Sequence, residues 1–336
     1  MAIKFVKTFE RTLGRVAMGA VLAGGLLMAV TPAMAQTKMK VLLDWAWLLY
    51  HSPFVLAQAK DYYREAGLDV TIEQGRGSAS TALIVSQGSF DIAHVNITNA
   101  AQMIGKGGPL KVVHIYQHRS GASFVGIKCK VKLDSVKSLI GPKIGSTPGG
   151  SDGLSIKIFS KLNKIDLTDL NIISMDANTK TVALFSNKID VVSGDAPAFE
   201  AYVKDTGQEP EAFVLADHGV PLIGFGFAVN ETYLKNNGAA VTKFLAATRK
   251  AFTEAYKDPK AACELMKQKV ELAGTLDRCV NYTNNIAALS TPATDPSWGR
   301  QTEEEWAKLT GTLREVGELE GTKPASAFYT NDYLPK

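Results

Sequence analysis

From Lys38 onward, short β-branched and apolar runs alternate with segments whose apolar positions recur at helical spacing, the signature of βαβ units and a mainly parallel sheet. The pattern predicts strands at Met39–Leu43, Leu68–Glu73, Phe90–Val95 and Leu110–Tyr116. Between them, Ser52 followed by Pro53 opens a helix that Gly67 closes. A second helix starts at Ser78 or Ser80 and ends at Gly88, and a third spans Asn99–Lys106. Ser123–Lys128 reads as a strand leaving this set, after which the rhythm restarts with strands at Lys143–Ser146, Leu170–Met175, Ile189–Ser193 and Ala212–Leu215. Helices fall at Ser151–Asn163, Thr179–Asn187 and Pro197–Thr206. Leu222–Val229 then crosses back. The remainder is helical at Ala239–Tyr256, Pro259–Val270, Leu276–Ala288 and Thr302–Val316, and ends in an extended tail, Phe328–Leu334.

This rhythm predicts two α/β lobes joined by two crossings: 36–122 and 225–336 build the first lobe, the latter mostly helical, and 123–224 the second. In open α/β sheets ligands sit outside the carboxyl ends of the strands, so the loops that follow each strand mark the expected cleft. Those loops carry Asp44-Trp45-Ala46-Trp47, Gly75-Arg76-Gly77-Ser78, Asn96-Ile97-Thr98-Asn99, Gln117-His118, Thr147-Pro148-Gly149-Gly150-Ser151-Asp152, Asp176 and Gly194-Asp195.

Residues 1–35 stand outside this plan. Lys4, Lys7, Arg11 and Arg15 precede the apolar stretch 16–30 and the small-residue site Ala33-Met34-Ala35, which together read as a secretory signal peptide cleaved before Gln36. The apolar run is short for a spanning helix, and Gly24-Gly25 and Pro32 suit a cleaved segment better than a retained anchor. The full chain of 336 residues carries 37 basic and 33 acidic side chains, and the excess sits largely in that leader. The near-neutral remainder has no electrostatic footprint for nucleic acid. Export also implies an oxidising compartment for Cys129, Cys263 and Cys279. Cys263 and Cys279, sixteen apart in a helical region, are candidates for a disulfide between neighbouring helices; three unpaired thiols are the equal alternative.

The two glycine loops each precede a helix, where free N–H groups and the helix dipole favour an anion or polar acceptor, although simple turn-plus-cap motifs look the same. Neither has the Gly-Lys-Ser/Thr ending of a nucleotide loop. Trp45 is expected to wall the cleft and stack on a flat ligand, Trp47 to pack its floor, and His51 either to bond a ligand or to cap the chain locally. His94, His114, His118 and His218 show no metal-site spacing. Asp152 and Asp195 are read as helix caps or binders of ligand donors in preference to an acid–base pair. Hydrolase and zinc-protease motifs are absent from the sequence.

Leu43-Asp44-Trp45 with His51, the stretch Tyr62-Tyr63-Arg64-Glu65-Ala66-Gly67-Leu68-Asp69-Val70, Gly75-Arg76-Gly77-Ser78, Ile144-Gly145-Ser146-Thr147-Pro148-Gly149 and the ending Tyr329-Thr330-Asn331-Asp332-Tyr333-Leu334-Pro335 carry a resemblance. Together they resemble the periplasmic solute-binding proteins of ABC importers, in the group related to thiamine-pyrimidine, sulfonate and nitrate binders. The resemblance implies a two-lobed Venus-flytrap fold of type II, a small-molecule ligand, a membrane permease as partner, a periplasmic location and no cofactor. It also implies a monomer that is not an enzyme. The pocket positions implied are Trp45, His51, Gly77, Ser78, Asn96, Thr98, Ser151, Asp152 and Asp195. Where related sequences place an Asn ahead of the His, this chain has Trp47-Leu48-Leu49-Tyr50, which makes the expected pocket more apolar. Two alternatives share the cleft. One is a thiamine-pyrimidine-synthesising enzyme of the same superfamily, disfavoured because this chain has no Cys cluster, and the other is a periplasmic ligand carrier for a sensor.

Overall fold

The computed structural model of the protein describes residues 36–147, 150–269 and 275–336, the side chains of 177 and 178 aside. The leader 1–35 expected to be cleaved, and Pro148-Gly149 of the second glycine loop, lie outside the described residues. The first run of the chain forms β1 (Thr37–Leu42), α1 (Ser52–Ala59), α2 (Tyr62–Glu65), β2 (Leu68–Glu73), α3 (Ser78–Ser86), β3 (Ile92–Asn96), α4 (Ile97–Gly105) and β4 (Leu110–Ile115). The second forms β5 (Ala122–Ile127), β6 (Lys143–Ser146), α5 (Ser151–Leu162), β7 (Asn171–Ser174), α6 (Ala177–Phe185), β8 (Val191–Asp195), α7 (Ala196–Asp205) and β9 (Pro210–Val214). β10 (Phe225–Asn230) then leads into α8 (Glu231–Lys257), α9 (Pro259–Lys269), α10 (Leu276–Leu289) and α11 (Glu303–Glu315).

Among the described residues the strands form two five-stranded sheets, ordered β2-β1-β3-β10-β4 and β7-β6-β8-β5-β9. In the first, β1 pairs in parallel with β2 and β3, whereas β10 runs antiparallel to both β3 and β4. In the second, β6 pairs in parallel with β7 and β8, and β5 runs antiparallel to both β8 and β9. Each sheet is therefore mainly parallel, with one reversed strand in its interior, and those reversed strands are the two segments read from sequence as crossings. β3 is buried along its whole length because helices cover both faces of the sheet, which is why it reads as an unbroken run.

Where elements depart from the sequence reading, a local residue is responsible. The helix expected to run unbroken from Ser52 to Gly67 is interrupted at Asp61, whose left-handed backbone (φ 56°) an aspartate tolerates, so α1 stops and α2 restarts. The long C-terminal helix begins at Glu231, eight residues ahead of Ala239, because Asn230 caps it through bonds from the amides of Thr232 (3.0 Å) and Tyr233 (3.2 Å). A kink at Asn237 hides that first turn from the apolar period. The extended tail does form. Val112 donates to the Phe328 carbonyl and Thr330 to the Val112 carbonyl, both at 2.9 Å, and Tyr329 stacks on Trp306 at 5.6 Å, covering edge strand β4. Cys263 of α9 and Cys279 of α10 are joined in a disulfide, and Cys129 is free and exposed. No described helix is long and apolar enough to cross a membrane.

Candidate ligand-binding cavity

Outside the carboxyl ends of the strands of both sheets lies a cavity of about 610 Å³. The first sheet contributes the loop Asp44–Tyr50 after β1, Ser78 and Phe225; the second contributes Thr147, Gly150–Asp152, Lys180–Val182, Gly194-Asp195 and the face of α7, and α10 adds Arg278 and Tyr282. The lining is aromatic from both sides, with Trp45, Trp47, Tyr50, Phe199, Tyr202, Phe225 and Tyr282.

Asp44 organises the first side. Gly75 brings the second loop against the end of β1 so closely that a Cβ there would sit 2.0 Å from the Leu43 carbonyl oxygen. Gly77 donates its amide to the Asp44 carbonyl at 2.8 Å. The Asp44 carboxylate accepts from the Tyr50 hydroxyl, from His51 Nε2 at 3.0 Å and from His94 Nδ1 at 2.8 Å. His51 Nδ1 in turn accepts the Leu48 amide at 3.0 Å, which places the imidazole proton on Nε2, toward Asp44. Burial raises the Asp44 pKa, but the hydrogen bonds from His51 and His94 outweigh it and hold the carboxyl well below the usual carboxylate range. Burial pushes His51 down against the opposing pull of Asp44, so the pair is a neutral imidazole donating to a carboxylate. His94 Nε2 pairs with the Tyr116 hydroxyl at 2.7 Å, and the ring stacks on Phe225 at 5.4 Å.

On the second side Asp152 is a knot rather than a cap. Its Oδ2 accepts from the Thr147 amide (2.9 Å), the Ser146 hydroxyl (3.2 Å), the Ser193 hydroxyl (2.9 Å) and Lys180 Nζ (3.0 Å). Lys180, 4% exposed, also donates to the Ser193 carbonyl at 2.9 Å, so β6, α5, α6 and β8 meet at one ion pair. Gly194 (φ 156°) turns the end of β8 so that Asp195 faces the cavity, and a Cβ there would meet the Phe199 ring at 2.4 Å. Asp195 Oδ2 is buried without a hydrogen-bond partner, and burial, with Asp44 and Glu200 adding negative charge, pushes this carboxyl up to about 7.

Of the positions expected from sequence, Trp45, Ser78, Ser151, Asp152 and Asp195 line the cavity, and Trp47 lines it too. His51, Gly77, Asn96 and Thr98 are not lining residues. Each is spent on local structure: His51 on Asp44, the Gly77 amide on the Asp44 carbonyl, the Asn96 side chain on the Thr98 amide at 3.1 Å, and the Thr98 hydroxyl on the Ile223 carbonyl at 3.1 Å. Lys180, Tyr202, Arg278 and Tyr282 escaped the sequence reading because they sit on helix faces rather than in loops after strands. The one metal-capable grouping among the described residues, Asp44, His51 and His94, also escaped it, since its members come from three separate elements. Their ligand atoms lie within 4.8 Å of one another, with both histidines hydrogen-bonded to Asp44. His114, by contrast, is buried against Trp298 at 4.0 Å, away from this group.

Two sheets of this order with a cavity at their strand ends define the periplasmic-binding-protein class of fold. The alkanesulfonate-binding protein SsuA from Xanthomonas axonopodis pv. citri, solved bound to MOPS, superposes with a TM-score of 0.66 at 17% identity, covering 88% of this chain and 99% of that one. The periplasmic nitrate-binding protein NrtA from Synechocystis PCC 6803 gives 0.66 at 14% identity, covering 89% and 87%. At these identities the likeness is one of fold. Within that class the chain belongs to the NMT1/THI5-like family, whose model matches residues 49–262. The 4-amino-5-hydroxymethyl-2-methylpyrimidine phosphate synthase THI11 of Saccharomyces cerevisiae is 24% identical over 318 residues, 90% of this chain and 89% of the relative. A synthase of the same name from Aspergillus parasiticus is 23% identical over 312 residues. These relatives correct one expectation: the reading that the chain is not an enzyme does not stand, because proteins aligned with nearly all of it are named as enzymes.

Proposed function

We propose that the protein captures a small, flat organic solute in this cavity, in the periplasm, and delivers it to a membrane permease of the ABC type. The aromatic lining carries this reading: side chains from both sheets and from α10 face one space, which suits a planar ring held between faces, with polar groups at its edge for orientation. The fold neighbours named as sulfonate and nitrate binders support a solute-binding role, and the pyrimidine synthases among the relatives support a pyrimidine-like solute. A second reading, chemical conversion of such a ligand, is favoured by those names and by Asp44 on the cavity wall, hydrogen-bonded to His51 and His94 behind it.

The test is a thermal-shift screen of refolded, ligand-free protein against pyrimidines, thiamine, sulfonates, nitrate and aromatic carboxylates, with mass spectrometry of each mixture. A ligand at 100 times its Kd adds about 2.7 kcal/mol of stability. The expected outcome is a raised Tm with one class, recovered unchanged, and Trp45→Ala weakening its binding about tenfold or more. Deletion of the gene should then abolish uptake of that compound. Recovery of a converted product would favour the enzymatic reading, and no shift, together with no small molecule extracted from natively purified protein, would sink both.

A further inference from the structure

The ring of His114, in β4, is fully buried, and neither of its nitrogens has a hydrogen-bond partner among the described residues. Phe227 of β10 lies against it at 5.5 Å and Trp298 at 4.0 Å. Trp298 belongs to the stretch 290–301, which runs between α10 and α11 and straps the end of β4. The Thr291 amide donates to the Tyr116 carbonyl (2.8 Å), the Ile115 amide to the Gly299 carbonyl (3.2 Å) and Gln301 Nε2 to the Val112 carbonyl (3.3 Å). Gly299, with φ 88°, lets the strap pass against the ring, since a Cβ there would sit 2.0 Å from His114 Cδ2. A neutral imidazole can be enclosed in this way. An imidazolium, with two N–H groups to satisfy and a charge to solvate, is driven toward water.

The charged groups that act on His114 both repel a proton: Arg249 of α8, which donates to the Ala293 and Asp295 carbonyls of the strap at 2.7 Å each, and His118 of the crossing after β4. The carboxylates of the neighbouring elements are engaged elsewhere. Glu305 of α11 pairs with His118 Nδ1 at 2.8 Å, and Asp295 of the strap accepts from the amide and hydroxyl of Ser297, both at 2.7 Å. Tyr116, which follows β4, and Tyr256 of α8 are kept neutral by burial. Burial, with His118 and Arg249 adding to it, holds His114 well below its ordinary value of 6.5. We propose that His114 is an acid-sensitive latch, whose protonation lifts the strap 290–301 from β4 while the sheet stays paired. The strap is the side that yields, because it is held by the bonds named above whereas β10 pairs with β4 along the strand. Its release frees the Tyr116 carbonyl, where the crossing Gln117–Gly121 begins, and the end of α10, whose Arg278 and Tyr282 line the cavity. The latch is intact above about pH 6.5 and weakens as the pH falls below that value, because the released histidine takes up a proton that the enclosed one does not. This device goes beyond the solute-binding reading and does not depend on it.

Hydrogen–deuterium exchange of the purified protein at pH 7 and pH 5, with labelling times scaled for the intrinsic pH dependence of exchange, tests this. The expected result is that peptides covering 290–301 open about tenfold or more often at pH 5, while peptides from β3 and from the second sheet keep their protection. In His114→Phe, which keeps a ring of similar size without nitrogens, and in His114→Leu, the strap should open equally often at both pH values. A titration of the histidine ring signals by NMR in the wild type needs no variant to fold: the His114 ring should stay neutral through pH 6.5 and take up its proton only as the strap opens. Unchanged protection of 290–301 between pH 7 and pH 5, a loss that persists in both variants, a loss spread evenly over both sheets, or a His114 ring that titrates near 6.5 under a protected strap overturns the assignment. A natural cargo recovered or missed in the thermal-shift screen leaves each of these readouts unaffected.

Discussion

Asp44 takes three side-chain donors while sitting almost wholly out of solvent, so its charge is stabilised by hydrogen bonds in place of water. A carboxyl held below its ordinary value of 3.8 contributes stability that is complete above that pH and is lost as the pH falls through the folded-state value. Asp44→Asn, which keeps one acceptor but places an amide against three donors, is expected to cost about 3 kcal/mol at pH 7. The difference from wild type should narrow as denaturant titrations move below about pH 4; a gap that stays constant from pH 7 to pH 3 would show that geometry alone, and not charge, is responsible. At this scale the sequence was partly legible. Trp45 and Asp195 could be placed because a residue after a strand in an α/β sheet faces the ligand side. His94 could not: it lies inside β3, where an apolar strand and a buried histidine look alike, and its partner Asp44 is fifty residues away. His51 was legible only as an open choice; in the structure its ring bonds the Leu48 amide and Asp44.

At the scale of elements, the disulfide ties α9 to α10 where α10 turns Arg278 and Tyr282 toward the cavity, and Cys279 lies between them in sequence. Its core neighbours are Leu49 and Tyr50, the same turn that presents Asp44's partner hydroxyl. The double substitution Cys263→Ala with Cys279→Ala is expected to lower stability by about 3 kcal/mol through the loss of loop closure, read from the denaturant midpoint. Denatured, unreduced wild type should titrate a single thiol, Cys129, and three thiols would contradict the bridge. Sequence spacing left pairing and non-pairing equal, since only the packing of two helices brings the sulfurs together. β2 and β6 were legible residue for residue, because glycine punctuation and β-branched runs fix both of their ends. The break at Asp61 and the early start of α8 were not, because an αL aspartate and an asparagine cap lie within stretches whose apolar period runs straight on.

For the whole molecule, a cavity lined from both sheets gives a ligand contacts on each side, so binding favours whichever arrangement of the sheets lets both sets form. Small-angle scattering with a ligand found by the thermal screen is expected to give a smaller radius of gyration than the free protein, and superimposable curves would argue against closure. The stretches that join the two sheets are short: Gln117–Gly121 on one side and Leu215 to Gly224 on the other, tied to each other by the ion pair of Arg119 with Asp217. Two sheets were legible because the strand rhythm restarts. What the rhythm did not disclose is that each returning strand enters the middle of a sheet, and this governs the order in which a chain emerging from its N-terminus is completed. All five strands of the second sheet lie between residues 122 and 214 and can assemble as soon as that stretch is free. The first sheet must wait for residues 225–230, and until they arrive β3 and β4 have open edges with no partner between them. The half that begins first is thus finished last, and in the interval its unpaired strands are the part of the nascent protein most in need of shelter from aggregation.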